Sequence, residues 1–140
     1  MSATVTDRRF AADPMTLLRR VLLLDAVVTG GNALAYLVLS GPLAELLGVS
    51  RGLLVELGVF LAVYAGGVGY LGTRSAPPVL AVKAVVEANI AWAVLSFLAL
   101  ALWLDPSTAG VVWTPLQAGT VLGFAGLQWW ALRGVGASRV

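Results

Sequence analysis

The sequence predicts an all-helical protein, a four-helix transmembrane bundle with short loops, and three observations predict it. Four apolar segments, at 17–39, 52–73, 79–104 and 110–132, are each long enough to cross a hydrocarbon core of about 30 Å at about 1.5 Å per helical residue. Charged residues make up 11% of the 140-residue chain and hydrophobic ones 59%. A soluble domain carries about a quarter charged residues, and one of this length has too little interior for so much apolar surface. The third observation is charge placement. With four spans, Arg8, Arg9, Arg19, Arg20, Arg74, Lys83, Arg133 and Arg139 share one side of the membrane, and Arg51 alone is on the other. The positive-inside rule then puts both termini in the cytoplasm.

The elements follow in order. Residues 1–12 are polar and without periodicity, as expected of a cytoplasmic tail. Asp13 and Pro14 suit a helix start, with the Asp as cap and the Pro at the first helical position. Ser40, Gly41 and Pro42 close the first span. A cleaved signal peptide, with Arg19 and Arg20 before the apolar run and Ala33-Leu34-Ala35 as the cleavage pattern, is the rival for this segment. Asp25 and Asn32 interrupt that run and its apolar character continues to Leu39, which argues for a retained helix. Leu43, Leu46, Leu47 and Val49 beside Glu45, Ser50 and Arg51 predict a short interfacial helix between spans one and two. Ala76-Pro77-Pro78 makes the inner turn and Asp105-Pro106-Ser107 the outer one, since the residue before Pro leaves helical geometry. The membrane domain covers 13–133 and residues 134–140 form a second tail. Aromatic residues agree with these boundaries: Tyr36, Trp103 and Trp113 fall at outer ends, and Tyr70, Trp129 and Trp130 at inner ends, where such rings prefer to sit. Tyr64 and Trp92 alone lie near mid-span. Asn32 to Ser40 (NALAYLVLS) and Asn89 to Ser96 (NIAWAVLS) admit a parallel duplication or chance.

Ionisable residues inside a span cost a few kcal/mol even on lenient scales, about 2.5–3.5 for Asp, Lys or Arg at the helix centre, and so mark the first places to look for function. Depth sorts them, with their uncharged companions, into two layers. Asp25, Lys83, Glu87 and Gln128 form an inner polar cluster, and Asn32, Tyr36, Glu56 and Gln117 an outer one. Asp25, Thr29, Asn32 and Tyr36 share one face of the first helix, and Lys83 and Glu87 are an i, i+4 pair on the third. Asp25 is therefore expected to face the interior toward Lys83, within direct or one-water reach. Two readings compete: a polar ladder that holds helices together, or a site for a proton or cationic ligand. Lys83 and Glu56 can also snorkel to the nearer surface. Gly58, Ala62 and Gly66, and Gly119 and Gly123, recur every four residues and are expected to pack helices within the protomer, with a dimer seam as the alternative.

Absences narrow the chemistry. Without Cys there is no thiol relay, and without His there is neither the usual haem ligand nor the commonest catalytic base. Ser96 is about 20 Å along one helix from Lys83, too far for a dyad. No carboxylate cluster has the spacing of a metal-dependent lipid phosphotransferase, basic residues scattered along membrane boundaries give no nucleic-acid footprint, and no metal or cofactor is expected.

Asn89, Trp92 and Ser96, together with LLRRVLLLDAVVTG, GPLAELLGV and LQWWALR, make the chain resemble a group of small four-span bacterial inner-membrane proteins with no assigned activity. The likeness covers most of 17–133. It implies the architecture and a bacterial inner-membrane location, and it implies no catalytic residue; the Arg, Ala, Gly and Val bias is that of a high-GC bacterium. The expected function is non-enzymatic: a scaffold, packing or accessory subunit whose partners are the lipid bilayer and another membrane protein or a second copy. The alternative is a small oligomeric proton-coupled carrier or channel that uses the intramembrane carboxylates.

Overall fold

A computed structural model describes residues 13–102 and 107–138, with no side-chain description at 137 and 138. The tail at 1–12, Trp103, the Asp105-Pro106 pair and Arg139 lie outside the described residues. Five helices are present among them: α1 (Pro14–Val38), α2 (Ser40–Leu47), α3 (Arg51–Thr73), α4 (Val79–Leu102) and α5 (Thr108–Ser138). The fold is all-α. Helices α1, α3 and α4 are long and apolar enough to cross a membrane, and they indicate a membrane protein. α5 is longer, at 31 residues, but carries Thr, Gln, Gly and Arg along its length and falls outside that set. It also continues through residues 134–138, which the sequence reading assigned to a tail.

Local chemistry accounts for the breaks. Pro14 occupies the first turn of α1, as expected, but Asp13 makes no side-chain cap; its carboxylate accepts from the Thr16 hydroxyl at 3.4 Å. α1 ends at Val38 because Pro42, four residues on, has no N–H to give the Val38 carbonyl and its ring would strike it. The chain pivots at Leu39 and restarts as α2, the predicted short helix. Gly48 closes α2 in the left-handed conformation, with φ 70°, a value that suits Gly because it has no Cβ. Ser50 then caps α3, its hydroxyl accepting from the Leu53 amide at 3.1 Å.

Packing is uneven. α1 lies along α3 and α4 along α5, the two pairs meet mainly through α1 and α5, and α3 barely touches α4. Small residues set the α1–α3 approach: a Cβ at Gly72 would stand 2.8 Å from Leu23 Cγ and 3.1 Å from its backbone nitrogen, and one at Gly58 would stand 2.8 Å from Leu37 Cγ. α2 straps the end of the bundle where α1 finishes and α3 begins. Arg51 Nε donates to Ser40 Oγ at 3.0 Å, tying α3 to the start of α2, and the Ser107 amide donates to the Leu47 carbonyl at 3.1 Å, tying in α5.

The predicted small-residue stripe needs correction. Of its five members only Gly58 lies at a helix contact; Ala62 is exposed, and a Cβ at Gly66, Gly119 or Gly123 would meet nothing within 4 Å. A strict spacing of four advances about 40° around a helix of 3.6 residues per turn at each step, so the series 58, 62, 66 walks off the interface. The face that α3 turns inward instead alternates threes and fours: Leu54, Gly58, Leu61, Ala65, Val68 and Gly72.

Candidate functional site

Two apolar clusters fill the interior. Leu18, Leu22, Val68, Val82, Val85, Ala131, Leu132 and Val135 make one, and Ala33, Tyr36, Ala44, Leu47, Leu54 and Leu61 the other. On α1 and α3 polar residues lie between the two clusters: Asp25 and Thr29 between Leu22 and Ala33, and Tyr64, beside the buried Ala65, between Leu61 and Val68. Asn89 follows Val85 on α4 and Gln128 precedes Ala131 on α5. Every long helix thus contributes to one polar layer.

The layer is a closed hydrogen-bond network around Asp25, which is 0% exposed. Thr29 Oγ1, one helical turn on, donates to Asp25 Oδ1 at 3.0 Å. Asn89 Nδ2 and Gln128 Nε2 both donate to Asp25 Oδ2, at 3.0 and 2.6 Å. Asn89 Nδ2 also donates to Gln128 Oε1 at 3.1 Å, and the Tyr64 hydroxyl donates to Asn89 Oδ1 at 3.0 Å. Each carboxylate oxygen is thus engaged, Oδ1 by Thr29 and Oδ2 by Asn89 and Gln128. Among the described residues no buried side-chain nitrogen or oxygen lacks a partner. Such a network, fully satisfied, ties helices together in a medium where an unmade bond is costly.

Two of the four residues assigned to the inner cluster, Asp25 and Gln128, are brought together. Lys83 and Glu87 are not: both side chains are exposed, and the expected Asp25–Lys83 contact is replaced by Asp25–Asn89 and Asp25–Gln128. The reason is angular. α4 turns Val82, Val85, Val86, Asn89 and Ala93 inward, and Glu87, two residues before Asn89, sits about 200° away at 100° per residue. Lys83, four before Glu87, shares its outward face. Glu87 instead borders an open groove between α4 and α5 with Ile90, Leu122 and Trp129.

The outer layer divides likewise. Tyr36 OH accepts from Trp113 Nε1 at 2.8 Å, linking α1 to α5. Gln117 Oε1 accepts from Trp92 Nε1 at 2.6 Å, and Gln117 Nε2 donates to Ser96 Oγ at 3.1 Å, linking α5 to α4. Tyr36 and Gln117 line one cavity of about 80 Å³. Asn32 is half-buried, its side chain making no hydrogen bond among the described residues, and Glu56 is exposed. Thr29, Tyr64 and Asn89 are the members of the inner network missing from the predicted clusters. Their signals were present: a hydroxyl one turn from Asp25, and a Tyr at mid-span instead of at the interface its kind prefers.

Compared with known protein families, curated proteins and solved structures, the chain matches none.

Proposed function

We propose that this chain is a four-span, non-enzymatic protein of the bacterial inner membrane, with both termini cytoplasmic, that works as a packing or accessory subunit against another membrane protein or a second copy. One observation carries the reading. The interior polar groups satisfy one another, while Glu87 and Lys83 face outward. Glu87 is the ninth residue of α4, about 12 Å from its start, where lipid offers a carboxylate no partner. Ala62, Gly66, Gly119 and Gly123 are outward too, and small residues are what lets another helix approach closely. The carrier alternative loses support from the same placement, since Glu56 and Glu87 are both exposed and neither belongs to the interior network.

The chain has no cysteine, so single introduced cysteines report without interference. Cross-linking in native membranes from Ile90→Cys and Leu122→Cys should give a discrete adduct that Leu34→Cys on α1 does not. Indistinguishable labelling from all three positions defeats the reading. Reporter fusions at Val140 and within 105–110 should give opposite signals, and a periplasmic C-terminus would overturn the orientation or the fourth span.

A further inference from the structure

α3 and α4 meet chiefly through aromatic and polar side chains. The Phe60 ring stacks on Trp92 with centroids 5.9 Å apart and planes at 4°, and on Tyr64 at 6.3 Å and 14°. Tyr64 OH donates to the Val85 carbonyl at 3.2 Å as well as to Asn89. Between these links lies a cleft of about 210 Å³, walled by Phe60, Tyr64, Ala88 and Trp92 and reaching inward to Thr29 and Asn89. Its rim includes the exposed Phe60 and Leu95, at mid-helix, so it opens sideways onto the lipid-facing surface. An apolar cavity of about 150 Å³ holds benzene. This one suits a single ring with a short arm.

The polar end of the cleft is selective because its protons are already committed. Asn89 directs its amide nitrogen at Asp25 and Gln128, Thr29 gives its one hydroxyl proton to Asp25, and Tyr64 shares its one between Val85 and Asn89. Oxygen lone pairs remain on Tyr64, Asn89 and Thr29, and no donor does. Directly behind Thr29 and Asn89 is Asp25, with no Lys or Arg among its hydrogen-bond partners or within ion-pair distance among the described residues. An uncompensated carboxylate in a low-dielectric interior attracts a cation over longer range than it could in water.

We propose that the α3–α4 cleft is a binding site for a small lipophilic organic ammonium, its N–H groups directed at the oxygens of Tyr64, Asn89 and Thr29 and its apolar body held between Phe60, Trp92 and Ala88. Asp25 supplies the counter-charge through the network. The site stands independently of the accessory-subunit reading, because cleft and partner-facing groove lie on different helix faces.

The test uses the full chain in phosphatidylcholine nanodiscs, with empty nanodiscs as blank and two near-isosteric probes, 2-phenylethylammonium and uncharged 2-phenylethanol. Calorimetry should give saturable binding of the ammonium at least about tenfold tighter than of the alcohol. Asp25→Asn keeps the shape and most acceptors of the carboxylate, and should bring the two probes to within about twofold of each other. Ala88→Leu, which fills the cleft, should abolish binding of both. Absence of saturable ammonium binding, equal affinity for the two probes in the unmodified chain, or an unchanged preference in Asp25→Asn overturns the proposal. If Asp25→Asn fails to fold, Ala88→Leu decides, since ammonium binding that survives it places the site elsewhere.

Discussion

α3 has two sequence neighbours among the long helices and treats them differently. Against α1 it presents Gly58, Gly69 and Gly72, and the backbones approach so closely that a single Cβ at Gly72 would intrude on Leu23. Against α4 it presents Phe60 and Tyr64, and the helices stand apart around a cleft bridged by ring stacking and one phenol. Both pairs are antiparallel, α1 and α3 joined through α2 and α3 and α4 by the turn at 74–78. The pair with the longer connection is the closer packed, so side-chain volume on each face, and not the tightness of the turn, accounts for the difference. In lipid, where apolar burial between helices brings little, close approach and interhelical hydrogen bonds are the two available attractions, and α3 uses one on each side.

Substitutions can break or sharpen that contrast, and the largest effect is expected where the bonds are most numerous. Asp25→Ala strands the Thr29 hydroxyl and the Asn89 and Gln128 amides that bind α4 and α5 to α1, and should cost about 3 kcal/mol or more, read as unfolding in mild detergent followed by far-ultraviolet circular dichroism. Asp25→Asn should cost less than about 1 kcal/mol, because its amide oxygen can face Asn89 and Gln128 while the Thr29 hydroxyl turns to accept. Equal losses would mean that charge and not hydrogen bonding holds the layer.

On the close-packed side, Gly72→Ala should destabilise by about 1–3 kcal/mol, since the new methyl meets backbone as well as the Leu23 side chain. A neutral outcome in the same unfolding assay would show that α1 and α3 have room to separate. On the open side, Tyr64→Phe removes the phenol that reaches Asn89 and Val85 and should cost about 0.6–1 kcal/mol. A loss as large as that of Gly72→Ala would make the two contacts equivalent. Least is expected of Gly66→Ala, where nothing lies within 4 Å; it should be neutral or stabilise by up to about 1 kcal/mol through helix propensity. Destabilisation there would reveal a partner on that face.

Helix number and most of the punctuation were legible in the chain because they depend on local rules: runs of apolar residues, Pro at Pro14, Pro42, Pro77 and Pro78, and Gly48 where a left-handed residue was needed; the end of α5, which has no such stop signal, was not. Asp25 and Gln128 were legible as interior groups because a polar side chain deep in an apolar run has few places to go. Rotation about the helix axis was a different matter. A helix in a soluble protein advertises its inner face by contrast with a polar outer one, whereas α4 is apolar on nearly every side, its exposed Leu80, Ile90, Val94 and Leu98 included. Only the tertiary structure decided that Asn89 turns in and Lys83 and Glu87 turn out. What fixes that rotation is contact between helices: the amides of Asn89 and Gln128 converge on one carboxylate, and no apolar pattern within a single helix encodes such a meeting.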